Sequence, residues 1–266
     1  MELSTSPSKY NIRFFKKKSM MIEKPYITVY TITYNEEHMI EFFIKHYRKM
    51  FPNCIINVLD NYSTDDTVEI AKSYGCNIDY FQSEEGKLIS DNKIFTEIKN
   101  EKWKRATTDW VIACDADELI QITQDELMEE EKNGVNIIAP VGWHMINNKD
   151  NIINLPSMEH AWEDDNYSKK ILFNKKYIKE INYVHGAHLC KPVGFNVKYS
   201  EPKKCILTHY KFVSKEFSLK KRINQNTRWS QFNKQRWGQD YVRYMTDEYW
   251  DGWYNKPLTN IKHLMK

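Results

Sequence analysis

The sequence lacks any uninterrupted apolar run of the ~18 to 20 residues that a spanning helix requires, and no apolar signal-peptide core follows Lys16-Lys17-Lys18. With a mean hydropathy of −0.71, these absences argue against a membrane-embedded chain and lead us to expect a cytoplasmic protein. Paired cysteines are missing too. Cys54, Cys76, Cys114, Cys190 and Cys205 are odd in number and include no Cys-x-x-Cys, so reduced, buried thiols are expected in place of a disulfide framework. Net charge is slight: 39 Lys and Arg against 36 Asp and Glu give +3, with the two signs interspersed, which argues against nucleic acid as a partner. Glycine is sparse, eight in all, and none lies between Tyr30 and Glu37, where a Gly-rich phosphate loop would follow a first strand. No internal repeat is evident.

What is present fits one large domain with a C-terminal elaboration, at 266 residues, 41% hydrophobic and 28% charged. Residues 1–24 are polar and basic without periodicity and are expected to form a flexible leader. From Pro25 the pattern alternates. Tyr26 to Thr33 reads as a strand, Glu36 to Met50 as a helix and Cys54 to Leu59 as a strand. A capped helix over Asp66 to Tyr74 ends at Gly75, a third strand covers Asn77 to Phe81, and Ile94 to Arg105 is helical. Trp110 to Cys114 has the continuous apolar character of a strand covered on both faces. The first half is therefore α/β with a mostly parallel, Rossmann-like sheet. Ligands of such sheets gather beyond the carboxyl ends of the strands, here Thr33-Tyr34-Asn35-Glu36, Asp60-Asn61 and Asp115-Ala116-Asp117. The second half alternates short strands (Val135 to Pro140, Lys170 to Phe173, Cys205 to Thr208) with polar loops, then gives a helical region from Lys215 to about Tyr249.

Asp115 and Asp117 at the end of a buried strand form a hard-oxygen site suited to Mg2+ or Mn2+, which would bridge phosphate oxygens. Acidic residues at strand ends are common, so the spacing alone says little. The context says more: Thr33-Tyr34-Asn35-Glu36, Leu59-Asp60-Asn61-Tyr62-Ser63-Thr64-Asp65-Asp66-Thr67 and Asp109-Trp110 through Asp117-Glu118 occur in this order across residues 26 to 120. In these motifs the chain resembles the family 2-like glycosyltransferases of the GT-A fold. That resemblance implies a nucleotide-sugar donor, a metal at Asp115 and Asp117, and a nucleobase contact at Asp60, with Thr33, Tyr34 and Asn61 nearby. It also implies donor contacts from Asn35, Glu36, Asp91 and Ala116. The blander readings are an Asx turn over Asp60 to Thr67, with Thr64 or Asp65 capping the next helix, and a helix-dipole role for Glu36.

Metal-binding members of the family often add a histidine from the C-terminal part, and His209, after Cys205-Ile206-Leu207, is the preferred third ligand. His185 and His188 are candidates for the donor or acceptor pocket, or bracket a Gly turn; with Cys190 they match no structural-zinc spacing. The acidic loop Trp162-Glu163-Asp164-Asp165 resembles the usual supplier of a general base, with Asp164 first choice and Asp165 and Glu163 as alternatives. Lys169 or Lys170 would contact diphosphate. Trp229 could face a sugar ring, whereas Trp237, Tyr241 and Tyr244 recur at helical spacing and suit packing.

The expectation is thus a GT-A catalytic domain over residues 25–214, divided into a nucleotide half (25–120) and an acceptor and metal half (121–214). A helical extension follows over 215–266. The resemblance implies transfer with inversion from a UDP-sugar to a glycan or other hydroxyl acceptor. A catalytically silent carbohydrate-binding module and a sugar-phosphate nucleotidyltransferase are the rivals, the latter disfavoured by the missing glycines.

Overall fold

The computed structural model describes residues 26–147, 154–202, 204–243 and 246–266. The expected leader, the side chain of Tyr241 and all of Tyr244 lie outside the described residues. In chain order the strands and helices of the first half are β1 (Ile27–Thr33), α1 (Glu37–Met50), β2 (Ile55–Asp60), α2 (Thr67–Ser73), β3 (Asn77–Tyr80), α3 (Asn92–Glu101) and β4 (Trp110–Asp115). There follow β5 (Glu118–Ile120), α4 (Gln124–Lys132), β6 (Ile137–Ile138), β7 (Val141–Ile146), β8 (His160–Glu163), β9 (Leu172–Asn174), β10 (Ile178–Glu180), β11 (Val193–Gly194) and β12 (Ile206–Phe212). The chain closes with α5 (Lys215–Thr227), α6 (Gln231–Arg243), α7 (Asp247–Tyr254) and β13 (Thr259–Asn260).

A six-stranded sheet runs β3-β2-β1-β4-β9-β6, parallel through its first four strands and antiparallel at β9 and β6. Its core is built by helical and strand periodicity together. Met39, Ile40, Phe43, Ile44, Tyr47 and Met50 line one face of α1 and pack with Ile27, Val29, Ile56 and Val58. Trp110 to Cys114 is buried throughout, as a strand covered on both faces must be. A second sheet runs β13-β8-β7-β12-β5, and no helix among the described residues is long and apolar enough to cross a membrane.

The sheets join at the turn Asp115-Ala116-Asp117, between the end of β4 and the start of β5. Register then decides what meets there. Thr33 pairs with Asp60 and Ile32 with Asp115, so the carboxyl ends of β1, β2 and β4 coincide. In the second sheet His209 pairs with Glu118 on one side and His144 on the other, and His144 pairs with Trp162.

Some expectations over the second half need adjusting. Trp162 and Glu163 belong to β8 rather than to a loop, with Asp164 and Asp165 just beyond it. Residues 135 to 140 hold only the two-residue strand β6. The helical stretch after Lys215 holds three helices among the described residues, interrupted at Arg228 to Ser230 and again at Thr246, the extended N-cap of α7. Strands of two to four residues are too short to display a period, so their pairing depends on distant partners that sequence order does not reveal.

Candidate active site

The edge formed by β1 and β2 is held by neutral donors. Asp60, fully buried, accepts from Thr33 Oγ1 at 3.0 Å, from the Ser63 backbone N–H at 2.7 Å and from Ser63 Oγ at 2.5 Å. Asn35 sits at φ 53, the left-handed region that Asn tolerates. From there its backbone N–H donates to Ser63 Oγ, and its side-chain oxygen accepts from the Thr64 backbone N–H. Asp65 accepts from the backbone N–H groups of Glu37 and Thr67, tying the starts of α1 and α2 together. Asn61 is buried and donates to the carbonyls of Phe81 and Lys87. Over this edge lies a cation that the sequence reading did not single out. The Arg228 guanidinium stands 3.0 Å from the Tyr34 ring centroid and donates to Asn61 Oδ1 at 2.7 Å.

Arg228 is placed by a strap between α5 and α6. The Ser90 N–H donates to the Arg228 carbonyl, Ser230 N–H to the Ser90 carbonyl, and the Asn233 amide to the same Ser90 oxygen. Trp229 pairs with Ser90 in this strap and is buried. Asp91 caps α3, its carboxylate accepting from the Lys93 N–H at 2.8 Å. His185 contacts Thr96 on α3 and Phe232 on α6.

The β4–β5 turn, by contrast, is held by charge. Asp115 meets Lys99 at 2.7 Å and Lys169 at 3.9 Å, and Lys169 meets the buried Glu118 at 2.5 Å. Ala116 is buried between the two aspartates. Asp117 Oδ2 stands 3.6 Å from His209 Nε2 and 3.7 Å from Lys221 Nζ, and Lys221 also reaches Glu36 at 2.7 Å. Burial drives the Asp117 carboxyl up, but His209 and Lys221 outweigh it and hold it well below the usual carboxylate range. Burial raises Glu36 to about 7, with Lys221 opposing and Asp117 adding to the rise. Lys170 turns to the Ser168 carbonyl, so of the two adjacent lysines Lys169 is the one beside the aspartates. Lys99 and Lys221 escaped the sequence reading; a lysine on a helix carries no signal until its partner is known.

Behind His209 is a stack of rings. Tyr167 lies 4.6 Å from His209 and 4.8 Å from His188, and His188 bonds the Asn166 carbonyl through Nδ1 at 2.7 Å. His144 Nδ1 stands 3.0 Å from His209 Nδ1, and its Nε2 approaches Asp164 Oδ2 at 3.3 Å without good hydrogen-bond alignment. A glycine permits this approach: a Cβ on Gly142 would lie 2.3 Å from the Tyr167 carbonyl carbon. The turn can therefore close on β7, with Asp164 N–H donating to the Gly142 carbonyl. The adjacent His144 imidazole, with the Asn166 N–H, holds the Asp164 carboxyl low, at about 2. Glu163 and Asp165 are exposed.

Among the described residues no group of three or more His, Cys, Asp or Glu side chains is arranged to hold a metal ion. The pair Asp117 and His209 nevertheless fits one. Mg2+-type sites commonly take one or two protein ligands and fill the remaining positions with substrate phosphate and water, and an imidazole suits Mn2+ beside a carboxylate.

No curated protein matches the chain. Among solved structures, TarS of S. aureus (residues 1–349) is similar at 16% identity and a TM-score of 0.42, with 76% of this chain and 65% of that one covered. PcManGT, a mannosyltransferase from Pyrobaculum calidifontis in complex with GDP-Man and Mn2+, is similar at 15% identity and a TM-score of 0.42, over 78% and 62% of the two chains. Glucosyl-3-phosphoglycerate synthase from Mycobacterium tuberculosis, in complex with Mn2+ and UDP-Glc, is similar at 19% identity and a TM-score of 0.32, over 45% and 44%. The chain thus spans just under two thirds of the TarS and PcManGT chains. The sequence pattern of glycosyl transferase family 2 matches residues 28–192, from β1 through the Asp-x-Asp turn to the end of the His185 segment; the chain belongs to that family and has its GT-A fold.

Proposed function

We propose that the protein is a metal-dependent glycosyltransferase that moves a sugar from a UDP-sugar to a glycan or other hydroxyl acceptor with inversion. The observation that carries this reading is the strand register. It brings the Asp60 turn and the Asp115-Ala116-Asp117 turn to one sheet edge, and it lays His209 beside Asp117 at 3.6 Å. In this reading the neutral, hydrogen-bonded edge at Asp60, Asn61 and Tyr34 takes the nucleobase, and the lysine-rich centre takes the diphosphate. Asp117 and His209 would hold Mn2+ or Mg2+, which when bound neutralises charge on the leaving diphosphate. Asp115, already paired with Lys99, would be the weaker ligand.

Lys99, Lys169 and Lys221 add fixed positive charge for the same leaving group. A carboxylate of the segment Glu163 to Asp165 would take the acceptor's proton as the hydroxyl attacks the anomeric carbon. Residues 25–214 make the catalytic unit and 215–266 an extension, which contributes Lys221 and Arg228. A cytoplasmic site is supported by five free cysteines, of which Cys76, Cys114 and Cys205 are buried.

The test is nucleotide release from a panel of nucleotide sugars, with and without Mn2+, then with candidate acceptors. Metal-dependent release from a UDP-sugar is expected. Nucleotide binding with no turnover on any donor and acceptor would overturn the reading in favour of a silent binding module.

A further inference from the structure

We propose that the ribbon of β10 and β11 is a docking face for a bilayer surface that bears anionic lipid, so that the protein lies on a membrane without crossing it. The ribbon's inner face already belongs to the core: Ile178, Ile181 and Tyr183 are buried there with Trp103, Val111 and Phe173. A ribbon packed on one side is ordinarily polar on the other. Here the outward positions, two residues apart, are Leu189, Lys191, Val193 and Phe195, with Leu189 68%, Val193 55% and Phe195 61% exposed. Val184, whose backbone N–H donates to the Leu189 carbonyl, is exposed as well. Five of the ten exposed large hydrophobic side chains among the described residues fall between positions 184 and 199, so the apolar surface is gathered and not scattered.

Charge decides what covers it. The whole chain is nearly balanced, 39 basic residues against 36 acidic, but residues 175–199 hold five lysines and a single acid, Glu180. Glu180 is engaged by Lys104 at 2.8 Å, and Lys175 and Lys198 turn to backbone carbonyls. Lys176, Lys179 and Lys191 are exposed, and among the described residues no carboxylate pairs with them. Lys179 Nζ stands over the Phe195 ring, 4.6 Å from its centroid, so cation and apolar side chain share one face. An anionic bilayer matches that mixture, because the ammonium groups stop at the phosphates while Phe, Leu and Val reach the acyl boundary.

A second copy of the chain matches it poorly. Two-fold pairing through this face would set Lys179 and Lys191 against their own counterparts, and lysine is depleted in protein interfaces. The chain's first 25 residues share the ribbon's sign, with six basic residues and two acidic ones, so they are no better suited to cover it. The face is also held firmly enough to act as a platform. The Tyr183 hydroxyl donates to the Lys170 carbonyl at 2.7 Å, and the Tyr183 N–H donates to Asn100 Oδ1 at 2.7 Å.

The test is co-sedimentation of the full-length chain with vesicles of phosphatidylcholine alone and of phosphatidylcholine mixed with phosphatidylglycerol. Binding to the mixed vesicles only is expected, and it should weaken as the screening length falls from about 10 Å at about 0.1 M salt to about 3 Å at about 1 M. Each lysine beside such a surface contributes about fivefold, so Lys179→Gln combined with Lys191→Gln should weaken partition by about 25-fold. Phe195→Ser leaves the charge intact and should weaken it by about tenfold, a loss that attraction of a basic surface alone does not produce. Val193→Ser repeats that measurement should Phe195→Ser fail to fold. Native circular dichroism with no binding to the mixed vesicles would overturn the docking face, as would equal binding to both kinds of vesicle. So would binding that these substitutions leave unchanged, which is the result expected if residues 1–25 carried the attachment, or a dimer in sedimentation equilibrium that Phe195→Ser dissolves. None of these outcomes depends on the sugar-transfer reading.

Discussion

Asp60 and Asp117 are acids of one sheet edge, yet they are held in opposite ways. Asp60 is fully buried and is compensated by hydroxyls and a backbone N–H from Thr33 and Ser63. Asp117 and its neighbour Asp115 are compensated by charge, through His209, Lys221, Lys99 and Lys169. Neutral donors fix an oxygen's direction and leave its charge in place, which suits reading the N–H of an uncharged base. A balanced cluster of buried charges suits exchange, because an arriving dianion or cation changes which partner each group prefers.

The sharpest way to break the comparison is at Asp117. Asp117→Asn keeps volume and removes one formal charge from the exchanging centre. Transfer should fall by about 10³-fold, and Mn2+ binding should be lost, while the circular dichroism spectrum stays native. UDP affinity measured without metal should change little if the base edge is independent. Next comes Glu118→Gln, which takes away the carboxylate nearest the buried Lys169 ammonium and leaves Asp115, at 3.9 Å, as the nearest remaining one. Removing one partner of a buried pair costs ~3–5 kcal/mol, readable as a lowered urea midpoint. A loss below about 1 kcal/mol would mean that the cluster is far more solvated than its burial indicates.

His46 gives a buried titrating group away from both centres, its Nε2 bonded to the Ile120 carbonyl at 2.9 Å. Burial lowers its imidazole from 6.5 to about 4. A depressed histidine stabilises the fold above its unfolded value near 6.5 and loses that contribution as pH falls towards 4. The loss amounts to roughly 3 kcal/mol over the window. The stability gap between wild type and His46→Gln should therefore narrow from pH 7 to pH 4, and a gap that stays constant would reject the assignment.

The same contrast explains what could be read from the sequence. Asp60, Asn35, Ser63 and Asp65 find their partners within residues 33 to 67, inside one β-α-β unit, so a local motif carries the whole arrangement. The first four strands of the large sheet were legible for the same reason, since each is a periodic or continuous apolar run ended by polar residues. The charge centre draws Glu36, Lys99, Asp117, Lys169, His209 and Lys221 from across the chain. Asp117 and His209 stood out by motif and strand end, whereas Lys99 and Lys221 gave no signal because surface lysines on helices look the same. His144 was invisible because β7 meets β12 only through pairing across some sixty residues.

The smallest expected effect falls on the neutral edge. Arg228 closes that edge from outside, with its guanidinium over Tyr34 and its Nη2 on Asn61 Oδ1 at 2.7 Å. Its Nε donates to the Leu88 carbonyl at 2.6 Å, so three elements of the edge depend on one side chain. Arg228→Ala removes a cation–π contact worth ~0.5–1 kcal/mol at a partly exposed site, together with a hydrogen bond that orients Asn61. We predict about tenfold weaker UDP binding by calorimetry, equivalent to ~1.4 kcal/mol. Mn2+ affinity should be unchanged, because the strap that carries Arg228 is bonded to Ser90 rather than to the aspartate turn. If UDP instead binds more tightly, the guanidinium occupies the place of the base and the strap competes with the donor. If Mn2+ affinity falls with it, the two edges are coupled and the contrast between neutral and charged acids does not divide the site.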